Sequence, residues 1–142
     1  MTADRTPPPI LLIRGEAHFV GKVEFALLDG DGNERSIASR EHPPAGTGLE
    51  AMVQEIATAG TDFQDVIVDL EKVVWLNSTG LGWLVGLARQ RKQQGDSVVL
   101  TGANERVAKL LHVTSLDLAL PMHETIAAAA AALRTDGEGP AR

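Results

Sequence analysis

The sequence predicts an α/β fold in which a mixed β-sheet opens with an N-terminal hairpin and continues in parallel strands joined by helices. Three observations carry this reading. Two apolar runs rich in β-branched residues, 66–70 and 97–101, read as strands buried on both faces, and each precedes a stretch with helical apolar spacing. Strand and helix therefore alternate, as parallel strands joined by right-handed crossovers require. Upstream, Asp29-Gly30-Asp31-Gly32-Asn33 is a strong turn signal between two runs of β-formers.

Residues 1–9, with Pro7-Pro8-Pro9, read as a flexible arm. Residues 10–28 are strand-like throughout, and the turn at 29–33 returns the chain into the shorter run 35–39, a hairpin. A loop over 41–48 ends near Thr47, a plausible N-cap for a helix over 49–59 whose inner stripe is Met52, Val53 and Ile56 and whose stop is Gly60. The strand at 66–70 leads through a second apolar patch, 73–76, to a helix over 79–93. Leu81, Leu84, Val85 and Ala88 recur there at i, i+3, i+4 and i+7 and are expected on the sheet, with Arg89, Gln90, Lys92 and Gln93 in water. Gly95-Asp96 ends that helix. After the strand at 97–101, Asn104 caps a helix over 105–112 with Val107, Leu110 and Leu111 inward. A short strand at 116–120 follows. Pro121 then opens a last helix through 124–134, where Ala127 to Ala132 supply helix propensity. Residues 135–142 read as a flexible tail, so one domain spans 10–134.

A chain of 142 residues can bury a sizeable core, and 44% hydrophobic residues fit a globular protein with no apolar run long enough for a membrane span. The N-terminus lacks the form of a signal peptide, and a cytoplasmic location is expected. With zero cysteines, disulfides, thiol catalysis and cysteine-ligated metals are excluded. A net charge of −6 argues against a phosphate-backbone partner, so no direct nucleic-acid binding is expected. Asp29, Asp31 and Asn33 alternate like the first half of a calcium loop, but Glu34 stands where Gly is needed and Arg40 where a bidentate Glu is needed. His18, His42, His112 and His123 have no partner at ligand spacing, so no metal is predicted.

The chemistry concentrates where the period changes, at Asn77-Ser78-Thr79-Gly80. Any of the three polar side chains can cap the helix that starts there. A hydroxyl at that position also sits where free N–H groups and the helix dipole favour a phosphate, and phosphorylation of Ser78 adds about −1.5 to −2 charges without melting the helix.

The run Val73-Val74-Trp75-Leu76-Asn77-Ser78-Thr79-Gly80-Leu81-Gly82-Trp83-Leu84-Val85-Gly86 resembles the signature of STAS domains, most closely the bacterial anti-sigma factor antagonists, whose pattern is apolar-Asp-Ser-Ser/Thr-Gly-Leu-Gly-apolar-Leu entering a helix. The resemblance implies a STAS-type fold and a non-enzymatic switch. In that family the serine after the Asp is phosphorylated by a partner anti-sigma factor that is also a serine kinase, which implies Ser78 as the modified residue. It implies a docking face of Asn77, Ser78, Thr79, Gly80, Gly82, Trp83 and Gly86, with ATP belonging to the partner and no cofactor on this chain. The family's Asp is Asn77 here, which keeps a cap and loses the carboxylate. The likeness is clearest over 64–133. Before that, Gly15-Glu16-Ala17-His18 comes too early for the family's Gly-Glu-Leu-Asp type motif, and the family's N-terminal contacts are not carried over.

Other chemistries fit less well. Gly80, Gly82 and Gly86 do not have the spacing of a dinucleotide loop, and at four-residue separation Gly82 and Gly86 flatten one helix side for close approach. Nothing in the sequence places a histidine beside Ser78, and its flanks are not Gly-x-Ser-x-Gly, so a hydrolytic nucleophile is not favoured. Trp83 lies off the expected inner stripe and reads as an interface residue, whereas Trp75 reads as core. Within the family, a scaffold or transporter-associated subunit without phosphorylation is the competing role.

Overall fold

The computed structural model describes residues 8–41 and 47–138. Its strands are β1 (Ile10–Gly15), β2 (Lys22–Leu28), β3 (Glu34–Glu41), β4 (Val66–Asp69), β5 (Val98–Thr101) and β6 (Met122–His123), and its helices are α1 (Leu49–Thr58), α2 (Ser78–Gln93), α3 (Glu105–Val113) and α4 (Ile126–Glu138). The strands form one six-stranded mixed sheet in the order β3-β2-β1-β4-β5-β6. β2 pairs antiparallel with both β1 and β3, while β1, β4, β5 and β6 run parallel. This is the mixed sheet and N-terminal hairpin that the sequence predicts.

Alternate residues of the central strands feed two cores. Leu11, Ile13, Val66, Val68, Val98 and Leu100 face a large cluster with Met52, Val53 and Ile56 of α1 and Leu84 and Leu87 of α2. Ile10, Leu12, Ile67 and Val99 face a smaller one under Ala129, Ala130 and Leu133 of α4. Both faces of β4 are thus buried, as its β-branched run Val66-Ile67-Val68 demands. α1 and α2 share one face of the sheet, as expected, and small alanines let α4 lie close on the other.

Several expectations are corrected. The strand-like stretch 10–28 is two strands, because Ala17 (φ 50) and Phe19 (φ 78) reverse the chain in left-handed conformations. The Phe19 side chain, fully buried, offsets the strain of that turn. Residues 116–120 are not a strand: Leu116–Leu118 is a 3-10 turn following Ser115 at φ 62, and only Leu120 of that run is fully buried. Leu118 is 85% exposed, so its alternation with Leu116 and Leu120 does not reflect a strand between two packed faces. Pro121 leads into β6 instead of opening a helix. α4 starts at Ile126, where Thr125 Oγ1 accepts from Ala128 N at 3.0 Å, and it runs on to Glu138, into the expected tail.

On α1 the N-cap position is Gly48, with no side-chain cap, one residue past Thr47. Gly60 (φ 102) ends that helix in the conformation glycine tolerates best. Residues 1–7 of the expected arm, His42 and residues 139–142 lie outside the described residues; Pro9 is held, its carbonyl accepting from Gln64 N at 3.1 Å.

Candidate functional site

The segment that links β4 to α2 is tied down from two sides. Ala17 N donates to Lys72 O at 3.0 Å and Val74 N donates to Ala17 O at 2.7 Å, so the turn after β1 lies against it. From the other side, Asn104 Nδ2 donates to Val73 O and Val74 O at 3.2 and 3.3 Å, while its Oδ1 accepts from Val107 N at 2.8 Å and caps α3. One asparagine therefore starts α3 and holds the approach to α2. Below, Asp69 Oδ1 accepts from Thr101 Oγ1 at 3.1 Å and from Glu71 N at 3.2 Å, and Arg14 Nε donates to Asp69 Oδ2 at 3.3 Å. A buried carboxylate with these partners fixes where β4 ends.

Asn77 is the residue that caps α2. Its Oδ1 accepts from Gly80 N at 2.8 Å and its carbonyl accepts from Leu81 N at 3.0 Å. Ser78 and Thr79 are exposed, and among the described residues nothing accepts from their backbone N–H groups or holds the Ser78 hydroxyl. The first turn of α2 contains no acidic residue. Two open N–H donors, the positive end of the helix dipole and a free hydroxyl thus meet at one surface point.

The glycines of the signature divide by role. Gly80 is buried, and a Cβ there would sit 3.1 Å from Leu76 Cδ2 and 3.7 Å from His18 O, so its bareness serves internal packing. Gly86 faces α1, where a Cβ would come within 2.8 Å of the Glu50 carboxylate. Gly82 faces open space, with nothing within 4 Å of an added Cβ.

Trp83 requires a correction. It is 7% exposed and packs edge-on to Phe19, so it belongs to the core and not to a surface open to partners. The reason is rotation of α2: its buried residues are Gly80, Trp83, Leu84, Leu87 and Arg91, while Leu81, Val85 and Ala88 of the expected stripe are only half-buried. Gln90 is likewise drawn inward, donating to Glu50 O at 2.7 Å. Trp75 is the more exposed tryptophan. The Arg106 guanidinium lies 4.5 Å from its ring centroid, and neighbouring Val74 is 57% exposed. Val73 and Leu76 point inward at 1% exposure each, so this patch turns with a three-residue spacing that leaves Val74 and Trp75 outside. Glu71-Lys72, the polar pair before it, was the available sign that the strand had ended.

Of the expected site residues, the fold brings Asn77, Ser78, Thr79 and Gly82 together on the surface and puts Gly80, Trp83 and Gly86 behind it. Away from that surface, Arg14 joins two carboxylates, bridging Glu34 at 2.7 Å and Asp69 at 3.3 Å. The hydrogen bond from Arg14 pulls the Glu34 carboxyl below its ordinary value. Asp29, the first residue of the apparent calcium loop, spends Oδ1 on Asp31 N and Asn33 N, both at 2.9 Å.

The sequence profile described as STAS domain matches residues 22–129, which is most of the chain. The chain belongs to the STAS domain family. Its matches among curated proteins include the anti-sigma-B factor antagonist of Staphylococcus aureus (strain NCTC 8325 / PS 47), 32% identical over 68 residues that make up 48% of this chain and 61% of that protein. The protein of the same name from Staphylococcus epidermidis is 34% identical over 68 residues, again 48% and 61% of the two chains. This chain thus matches about three-fifths of the length of these relatives. Among solved structures, a Thermotoga maritima protein provisionally assigned as an anti-sigma factor antagonist superposes with a TM-score of 0.54 at 24% identity, covering 61% of this chain and 72% of that one. At that identity the likeness concerns the fold. Among the described residues, no helix of this STAS domain is long and apolar enough to cross a membrane.

Proposed function

We propose that this STAS domain is an anti-sigma factor antagonist. In this reading it docks an anti-sigma factor on the surface formed by Asn77, Ser78, Thr79 and Gly82, freeing a sigma factor, and is switched off by phosphorylation of Ser78. The partner carries the serine kinase activity and binds ATP. The γ-phosphoryl group passes to Ser78 Oγ, the hydroxyl loses its proton, and ADP leaves with the partner. The new phosphate blocks docking by charge and bulk, and leaves the fold intact because the Ser78 and Thr79 N–H groups accommodate it.

The observation that carries this reading is the division of labour at the helix start. Asn77, not Ser78, caps α2, so the Ser78 hydroxyl is exposed and its modification costs no cap. The names of the staphylococcal relatives point the same way.

Asn77 also favours a second reading, a STAS scaffold or transporter-associated subunit in which Ser78 is never modified, because the carboxylate of the family pattern is missing. A pull-down from native extract with wild type, Ser78→Ala and Ser78→Asp as baits separates the two. Retention of an ATP-binding serine kinase by wild type and Ser78→Ala, with its loss from Ser78→Asp, supports the antagonist. Equal retention of that kinase by Ser78→Asp overturns the switch, and capture of a transporter ATPase or other STAS proteins by all three supports the second reading.

A further inference from the structure

The sheet is incomplete along β5. In a parallel ladder alternate residues turn both peptide groups to the same neighbour. Ser97 and Thr101 face β4, their carbonyls accepting from Val66 N at 3.0 Å and Leu70 N at 2.7 Å. Leu100 and Gly102 face β6, donating to Pro121 O at 2.8 Å and His123 O at 3.2 Å. By the same period Val98 faces the β6 side, but β6 is only Met122–His123 and stops short of it. The residue in position to serve the Val98 carbonyl is Pro121, which has no N–H. Among the described residues nothing pairs with the Val98 N–H or C=O on that edge, although Val98 is only 6% exposed.

Val98 lines a groove of about 530 Å³. Its walls are apolar, with Val85 and Ala88 from α2 on one side, Leu118 from the 3-10 turn on another and Leu133 from α4 behind. Two cations line it, Arg89 and Lys92, and no ion pair engages either among the described residues. The carboxylate in the lining, Asp96, is already matched by Arg91 at 3.4 Å. On a chain of net charge −6, this is a locally cationic apolar slot beside an open strand edge.

We propose that this groove binds an extended acidic segment of a partner protein, which adds as a short strand along β5 at Val98, buries alternate apolar side chains against Val85 and Leu118, and sets a carboxylate between Arg89 and Lys92. Strand addition supplies the missing backbone bonds, and the two cations select the charge of the incoming segment. Lys92 stands fourteen residues after Ser78, about 21 Å along α2. The groove therefore stays open whether or not Ser78 is modified, and the proposal does not depend on the function assigned to Ser78.

The test uses the full chain, isotope-labelled for NMR, and two acetylated hexapeptides, Val-Asp-Val-Glu-Val-Ala and Val-Lys-Val-Lys-Val-Ala. The acidic peptide is expected to shift the amides of Val98 and Leu118 and to slow exchange of the Val98 amide. The double variant Arg89→Glu, Lys92→Glu is expected to weaken it by about tenfold or more. Ser78→Asp is expected to leave that binding unchanged. Equal binding of the basic peptide, or no response from Val98 at about 1 mM acidic peptide, overturns the proposal. Two other occupants overturn it as well. A Val98 amide already protected in the full chain and released by deleting residues 1–7 assigns the groove to the chain's own arm. Concentration-dependent association abolished by Leu118→Asp assigns it to a second copy.

Discussion

Phe19 and Trp83 meet edge to face, their ring centroids 5.7 Å apart and their planes at 68°. The contact joins the left-handed turn after β1 to the second turn of α2, so the surface around Ser78 rests on a pair of residues sixty-four positions apart in the chain. Trp83→Ala is expected to lower stability by about 3–5 kcal/mol, read as a shift in urea midpoint, with Trp83→Phe costing less. If Trp83 were instead a partner contact on an open surface, Trp83→Ala would leave the midpoint nearly unchanged.

Gly82 and Gly86 make different predictions despite their shared spacing. Gly82→Ala adds a methyl into open space on a helix and is expected to stabilise the fold by about 1 kcal/mol. Gly86→Ala pushes on the Glu50 carboxylate and gains less. In the proposed docking role, Gly82→Trp keeps the thermal midpoint within a few degrees and loses the partner, which calorimetry and a binding assay read separately.

Asn77→Ala removes the α2 cap and is expected to cost about 1 kcal/mol, whereas Asn77→Asp keeps the cap and gains up to about 1 kcal/mol at low salt from the helix dipole. Thermal melts at two ionic strengths check both. Under the antagonist reading, Asn77→Asp also raises the rate of phosphoryl transfer to Ser78.

Asn104→Ala breaks the α3 cap and both links to the segment before α2, for an expected loss of about 2 kcal/mol. Hydrogen exchange is the more specific readout. Amides at 73–76 should exchange faster together with those of the first turn of α3, while β1 keeps its protection.

Two carboxylates give opposite pH dependences. Glu34 is held below its ordinary value of 4.5, first by the hydrogen bond from Arg14, so the stability it contributes is present above that value and is lost as pH falls through the depressed one. Asp96 is raised above 3.8, first by burial, so its contribution is present at low pH and is lost as pH rises through the raised value. Measured between about pH 5 and pH 3, the fall in urea midpoint on acidification should be shallower in Glu34→Gln and steeper in Asp96→Asn.

Local chemistry made much of this molecule legible. The β-branched run at 66–68 has a composition that a doubly covered strand favours, Asn104 sits one residue before a strongly amphipathic helix, and Asp29 to Asn33 form a turn through the Asp29 carboxylate. The phosphate-favouring position of Ser78 follows from its place at a change of period, independently of any neighbour in space. The resemblance carried by residues 73–86 supplied the family, which the match over 22–129 bears out.

What the sequence by itself determined, then, is the order of elements from α1 to α3, the α/β class and the family, because these depend on propensity and periodicity within a dozen residues. Tertiary structure alone decided which side of α2 is buried. A helix with three glycines and apolar residues on several sides has no single sequence stripe, and the side it buries is the one that carries Trp83 against Phe19 and the buried Arg91. Tertiary structure also decided that Trp83 is core and Trp75 half-exposed, that 116–120 curls instead of pairing, and that β5 keeps an open edge at Val98. Each of these depends on a partner distant in sequence, so no local pattern records it.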